Sequence, residues 1–384
     1  MNALVNRWTQ RPTRILGLMS GTSLDGLDVA LIEWDSDDLA DFRVADVHTF
    51  RYDAALQKDI LQTITGTASD VCQANVRLGK IWGDYIRTYL ADRDIPAQDI
   101  ACIGSHGQTI WHESGESTLQ IGESAEMSAL TGIPVISNFR EQDIAHGGIG
   151  APLIPFLDWL LYRDLPGSTV ALNIGGIANI TCLSESMEAT DVIGWDTGPG
   201  NMVMNTLASL ATAGEQSYDK DGTLARRGTV NERLLQVLMN DEFVTKTPPK
   251  STGREYYSEA FVRNRFDIAP ELEEARLADA LATACEWTAQ SIISNITRFW
   301  KPLRGIDRLV ISGGGVHNLS LMERLASHLP NTDILTCDEY GIAIDAKEAI
   351  GFAVLAMAFI SGIPANLPGV TGARKSVVLG KLTK

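Results

Sequence analysis

Basic residues are scarce in this chain. The 32 Lys and Arg stand against 48 Asp and Glu, a formal net charge of −16 at pH 7. Without a basic field to displace counterions, a nucleic-acid partner is not expected. Small anions stay open, because backbone dipoles, a metal or a few cations bind phosphate inside an acidic protein. Cysteine is scarce too. Cys72, Cys102, Cys182, Cys285 and Cys337 are scattered, odd in number and never at C-x-x-C spacing. That argues against a disulfide framework and a zinc site, and suits small core residues in a reducing, cytoplasmic compartment. Long apolar runs are missing. The most apolar stretch, 349–360, falls short of the about 20 residues of a bilayer span. The first 14 residues are polar and do not read as a signal peptide. No membrane partner is expected.

What is present is the balance of a globular enzyme, 45% hydrophobic and 21% charged, over 384 residues, a length that suits two domains. The organising stretch is 16–32. It begins apolar, breaks at a glycine-flanked polar turn and resumes apolar with strand-like alternation. This predicts a β-hairpin with its polar residues at the tip. Gly21 and Gly26 permit unusual backbone angles and leave room for a ligand. The backbone N–H groups of Gly21, Thr22 and Ser23, with the two hydroxyls, can cradle a phosphate. Asp25 and Asp28 can hold Mg²⁺ directly or through water. The glycine spacing is close to a Walker A loop, but Leu27 and Asp28 stand where Lys and Ser/Thr are needed, and a strand follows instead of a helix.

Helical spacing over 54–68 and 70–93 predicts two helices, the second with Val76, Leu78, Ile81, Trp82, Tyr85 and Tyr89 as its buried stripe. A buried strand at 100–104 runs into a polar cluster holding His106, and strand ends in α/β proteins are where ligands bind. His112 is not at a helical metal spacing and is given no ligand role. The stretch 138–148 is dense in polar groups, and Arg140 carries a fork that suits a carboxylate or phosphate. A helix is predicted over 151–162, with Pro152 in its first turn. At 170–181 the opening design returns as strand, glycine turn and strand, which suggests an internal duplication. A strand at 191–195 then ends in Asp196, held on a Gly-Pro-Gly turn and rigidly placed for catalysis, while Asn201 is the expected cap of the next helix. The proline-marked loop 247–255 is either a connector or part of the site. A long helix is predicted over 277–300. At 308–329, strand, triple glycine and helix make a surface for a nucleotide. A small-residue helix closes the set at 345–361, packed closely as at an interdomain hinge, and Glu348 fits its first turn through the helix dipole.

These pieces in this order resemble the sugar kinase, Hsp70 and actin superfamily. More narrowly they resemble the anhydro-N-acetylmuramic acid kinase family. The motifs are GLMSGTSLDGLD at 17–28, SHGQT at 105–109, NFR and QDIAHGG within 138–148, and NIGGIANIT at 173–181. DTGPGN at 196–201, ISGGGVHN at 311–318 and DAKEA at 345–349 complete the set. Only the polar stretch before Arg14 is unaccounted for.

The resemblance implies an α/β fold of two duplicated actin-like ATPase (ribonuclease H-like) domains around an interdomain cleft. The first is expected over 1–165, with 363–384 returning to it, and the second over 166–362. It implies a reaction in which water opens the 1,6-anhydro ring of N-acetylmuramic acid at C1 while O6 takes the γ-phosphate of ATP. Asp196 is the implied base. Gly21, Thr22, Ser23, Leu24, Asp25, Gly26, Leu27 and Asp28, with Gly175, Gly176, Gly313 and Gly314, are the implied nucleotide residues. His106, Arg140 and Asp143 are expected to face the sugar, and Asp25 to meet Mg²⁺. The partners are then ATP and an amino sugar, and a homodimer is compatible with this reading. Two other readings are an ordinary hydroxyl sugar kinase and an ATP-switched binding protein. The second lacks room after Lys384 for a peptide-binding domain, and before the first strand for a DNA-binding module.

Overall fold

The computed structural model describes residues 8–9, 11–21, 23–253, 256–268, 274–300 and 305–384. Thr22 and the end of the 247–255 loop lie outside them.

The chain begins with β1 (Thr13–Ser20) and β2 (Gly26–Trp34), antiparallel in a register that sets Met19 opposite Asp28. β3 (Phe42–Arg51) adds to β2 as an edge strand. Helix α1 (Ala54–Ile64) starts on the Asp53 side chain, and α2 (Ala68–Ala91) on a Thr67–Asp70 capping box. The predicted stripe of α2 is shifted. Ala74, Leu78, Trp82, Ile86 and Tyr89 are buried, while Val76, Ile81 and Tyr85 flank them. β4 (Ile100–Glu113) runs parallel to β1, and β5 (Ser117–Ile121) folds back on it. Next come α3 (Ser124–Thr131), β6 (Val135–Ser137) parallel to β4, α4 (Glu141–Ala145) and α5 (Pro155–Tyr162). Helix α5 starts at Pro155 and not near Ala151, so Pro155 takes the first-turn place expected of Pro152.

A second series follows. It comprises β7 (Ser168–Ile174), β8 (Ile177–Ser184), β9 (Ile193–Pro199), α6 (Asn201–Ala211), α7 (Glu232–Met239), α8 (Glu242–Thr245), α9 (Glu259–Arg265) and α10 (Glu274–Phe299). It ends with β10 (Arg308–Ser312), α11 (Leu319–His328) and β11 (Asp333–Thr336). Last are α12 (Lys347–Ser361), α13 (Pro368–Thr371) and β12 (Lys381–Thr383), which pairs antiparallel with β6.

The first compact unit runs to Leu161 and resumes over Gly341–Lys384; the second is Tyr162–Tyr340. The return therefore starts at Gly341, earlier than the expected 363, and α12 belongs to the first unit. The reason is packing against β1 and β4. A Cβ on Gly17 would lie 1.9 Å from the Ala349 carbonyl oxygen, and one on Gly104 would lie 2.2 Å from that of Phe352. The small residues of α12 thus serve close contact with the first sheet.

Apart from β5, which pairs with β4, and β12, which lies outside β6, the first sheet reads β3-β2-β1-β4-β6, and the second reads β9-β8-β7-β10-β11. In each, three antiparallel strands are followed by two parallel to the first. One order, 3-2-1-4-5, occurs twice, so the duplication is visible in the topology, and it is the ribonuclease H-like order of actin-like ATPase domains. Four cysteines are buried and Cys72 is exposed, and all five are free. Among the described residues no helix is long and apolar enough to cross a membrane.

Candidate active site

The first hairpin turns between β1 and β2, with Leu24 N–H donating to the Gly21 carbonyl at 3.3 Å. Its strained residue is Leu24, at φ 59°, a left-handed conformation uncommon for a bulky side chain. Burial holds it there: Leu24 is 5% exposed and packs in the core of the first unit. Gly21 does not need its missing side chain for the turn, since a Cβ there would come no closer than 3.5 Å to Ser23 Oγ. What Gly21 supplies is open space. Gly26 is needed for packing, because its Cβ would stand 2.5 Å from the Phe50 carbonyl oxygen. Leu24 and Leu27 are core side chains, so only their backbone is available to a ligand.

Behind the turn, Ser20 Oγ donates to Gln108 Oε1 at 2.6 Å and meets Tyr52 Oη at 2.9 Å, and Trp82 Nε1 donates to the same Tyr52 oxygen at 2.9 Å. The tip carries acid. Ser23 Oγ donates to Asp25 Oδ1 at 2.7 Å, and Thr49 Oγ1 to Asp28 Oδ1 at 2.6 Å. Burial pushes the Asp28 carboxyl up to about 6 against the Thr49 bond, with Asp25 and Asp345 adding repulsion. Among the described residues no three His, Cys, Asp or Glu side chains are placed to ligate a metal on their own.

His106 and Arg140 are brought together. Arg140 donates to His106 Nε2 from Nη2 at 2.8 Å and from Nε at 3.2 Å, and from Nη1 to the Gly150 carbonyl at 2.7 Å. His106 is 5% exposed and its ring lies 4.6 Å from that of Phe352. Burial, then the Arg140 charge, hold its pKa well below the usual imidazole range. The ring is therefore neutral, and its Nε2 lone pair orients the guanidinium. Burial lowers Arg140 to about 10, opposed by Glu348 and Asp143, so it stays a cation at neutral pH. The contacts use three of the five N–H donors of a guanidinium, and two remain for a ligand.

Asp143 has a different surrounding from the one expected. It is fully buried, and its carboxylate accepts from Gly150 N at 2.9 Å, Asn366 Nδ2 at 2.8 Å and Thr371 Oγ1 at 2.6 Å. It pins the 147–150 turn, whose Gly150 carbonyl holds Arg140, to the returning C-terminal segment. The geometry gives it a positioning role in place of the expected sugar contact.

In the second unit, Gly175 and Gly176 turn between β7 and β8. Their carbonyls accept from the turn after β9: Asn201 N to Gly175 O at 2.8 Å, and Gly200 N and Met202 N to Gly176 O at 2.9 and 3.1 Å. A Cβ on Gly200 would stand 2.3 Å from the Gly175 oxygen, so glycine is required there. Gly200 is the cap position of α6, with no side-chain cap bond. Asn201 is not the cap; its amide donates to the Ile174 carbonyl at 3.2 Å. Gly313, at φ 80°, and Gly314 follow β10, which pairs Ser312 with Asn173 of β7. The glycines of β7 and β10 therefore gather at the C-terminal ends of adjacent parallel strands.

Asp196 lies on β9, 6% exposed. Oδ2 accepts from Ser251 Oγ at 2.8 Å and from Thr252 N at 2.9 Å. No described residue donates a hydrogen bond to Oδ1. Burial pushes the carboxyl up to about 6, against the pull of Thr252, Ser251 and Lys250. A base of that strength is ionised at neutral pH and still takes a proton. Ser251 and Thr252, on the proline-marked loop, carry no sequence pattern that points to Asp196. Glu348, read as a helix-dipole carboxylate, has its pKa raised by burial, with Arg140 opposing and Asp28 adding to the rise, so its charge bears on both sets of the first unit.

The family model for anhydro-N-acetylmuramic acid kinase matches residues 13–384. An anhydro-N-acetylmuramic acid kinase of Caldanaerobacter subterraneus subsp. tengcongensis is 40% identical, with 100% of both chains covered. One of Bacillus cereus strain B4264 is 39% identical over 96% of each chain, and one of Francisella tularensis subsp. novicida 37% over 96% of this chain and 97% of its own. Matched over nearly its whole length, this chain belongs to the anhydro-N-acetylmuramic acid kinase family.

Proposed function

We propose that the protein uses ATP to convert 1,6-anhydro-N-acetylmuramic acid into N-acetylmuramic acid 6-phosphate, in cell-wall recycling. The observation that carries this reading is Asp196: a buried carboxylate with one oxygen held by the protein, the other open, and a pKa of about 6. Asp196 takes a proton from a water whose oxygen bonds to C1. The C1–O6 bond breaks, O6 bonds to the γ-phosphorus, and ADP leaves. Asp196 afterwards gives its proton to solvent. Placement and charge stabilisation carry such a transfer, and no covalent protein intermediate is needed.

Arg140, oriented by neutral His106, has donors left for the lactyl carboxylate of the sugar. The N–H groups of the first hairpin suit a phosphate, and in the second unit the glycine turns suit a nucleotide. Mg²⁺ fits the acidic tip. Asp25 is exposed there, and Asp28, crowded by Asp25 and Asp345, gains from a cation. Magnesium commonly takes one or two carboxylates and completes its shell with phosphate and water. When bound, it neutralises phosphate charge. The test follows products in ¹⁸O-water. Wild type should place the heavy oxygen at C1 of the sugar phosphate. Asp196→Asn should lower kcat about 10²- to 10⁴-fold, with ring opening and phosphorylation falling together. Heavy oxygen in released phosphate, or a near-wild-type rate in the variant, overturns the reading.

A further inference from the structure

The loop between α8 and α9 contains a cation that the reaction above does not use. Lys250 is 2% exposed. Its Nζ donates to the carbonyls of Phe243 at 2.9 Å and Val244 at 3.0 Å, at the end of α8. The ammonium lies 4.9 Å from the ring centre of Phe243 and 5.6 Å from that of Phe299. Among the described residues no carboxylate stands within ion-pair distance. A buried ammonium is costly unless its charge finds a use.

The main chain of the same residue reaches Asp196. Asp196 N donates to the Lys250 carbonyl at 3.2 Å, and the next two residues, Ser251 and Thr252, donate to Asp196 Oδ2. One residue thus joins the end of α8 to the segment that holds the carboxylate. The ionisable groups around Lys250 are Asp196 on β9, Asp241 at the head of α8, Lys246 at its end and Arg298 on α10. Asp196 and Asp241 favour the charged ammonium, while Arg298 and Lys246 oppose it. Tyr257 also faces Asp196, and its hydroxyl is buried.

We propose that Lys250 is a positioning residue for the reaction: a buried cation that clamps the 250–252 segment onto Asp196 and keeps that carboxylate ionised. This rests on Asp196 being the base. Burial lowers Lys250 to about 8, so it is charged at neutral pH, where its field favours the Asp196 anion.

The informative substitution is Lys250→Gln. Its amide can still donate to the α8 carbonyls, but the charge is gone. With full-length protein, kcat and the KM of both substrates are measured from pH 5 to 9, alongside melting curves. Losing this positive charge should raise the acidic limb of kcat by a fraction of a pH unit. Both KM values should stay within about twofold, and the rate should recover at high pH. Ser251→Ala, which removes one hydrogen bond to Oδ2, should move the limb the same way and by at least as much, and Lys250→Met, which also removes the charge, decides the matter should Lys250→Gln fail to fold. A uniform loss of kcat at every pH with the limb unmoved, or a rise in KM alone, overturns the proposal. Asp196→Asn separates the two failures. If it keeps activity, the base assignment falls. If it is inactive while the limb of the folded loop variant stays in place, only the role of Lys250 falls.

Discussion

The two glycine hairpins occupy equivalent places, each after the first strand of a 3-2-1-4-5 sheet, and the chain secures them differently. In the first unit the turn is held from behind. Leu24 is driven into the core in a left-handed conformation, and the Ser20, Gln108, Tyr52 and Trp82 bonds brace the strand ends. Its tip stays open and acidic. In the second unit the turn is held from the front, since the N–H groups of 200–202 occupy its carbonyls. The same contact ties the proposed base's strand to the glycine turn. A duplicated topology therefore supports two tasks, an open rim for a metal-bound phosphate and a fixed frame for a carboxylate.

The largest effect expected is on the sheet beneath the first hairpin. Gly17→Val should cost about 3 kcal/mol or more, because the added carbons meet the backbone of α12. A melting curve tests this, and near-wild-type stability would break the account of why α12 belongs to the first unit. Next comes Arg140→Ala. Losing a charge-assisted hydrogen bond costs about 1.5–3 kcal/mol, so the KM for the sugar should rise about 10- to 150-fold. The KM for ATP should hold; if it rises instead, Arg140 serves the nucleotide.

A smaller effect concerns acid. His106 stays neutral in the folded protein, whereas in the unfolded chain it gains a proton below about pH 6.5. The unfolded state then binds more protons, so stability falls as pH drops below that value and is complete above it. The slope from this group is at most about 1.4 kcal/mol per pH unit. His106→Asn should flatten the urea-measured stability profile between pH 4 and 6.5, and an unchanged slope would remove His106 as its source. The smallest effect on stability belongs to Gly21→Ala. A Cβ has room there, so stability should change by no more than about 0.5 kcal/mol. ATP affinity by calorimetry should nevertheless drop if the open space at Gly21 admits a phosphate. A variant that keeps full affinity would show the first tip to be less of a nucleotide rim than the second.

Much of this was legible along the chain, because hairpins, glycine turns and strand-end carboxylates are local patterns. Both glycine hairpins, the Asp196 turn and the strand, triple glycine and helix at 308–328 declare themselves within about twenty residues each. What stayed hidden depends on residues that meet only after folding. Ser251 reaches Asp196 across 55 positions, and Asn366 and Thr371 reach Asp143 across 223 and 228. Nothing near Asp143 signals that its carboxylate is already occupied. The small residues of α12 signal close packing without naming its partner, and Gly17 and Gly104 supply that partner only in three dimensions. The capping role of Asn201 failed because backbone carbonyls from another turn had taken its place.

The return of the chain to its first sheet has a consequence for synthesis. The second unit is one continuous stretch, Tyr162–Tyr340, and all its strands are available once that stretch has left the ribosome. The first unit must wait. Until Asn366, Thr371 and β12 are made, Asp143 has only part of its hydrogen bonding and β6 lacks its outer neighbour. The usual order, in which the N-terminal domain matures first, is reversed in this chain. The half translated earliest is completed last, and its exposed β6 edge during that interval is the surface a nascent-chain chaperone would need to cover.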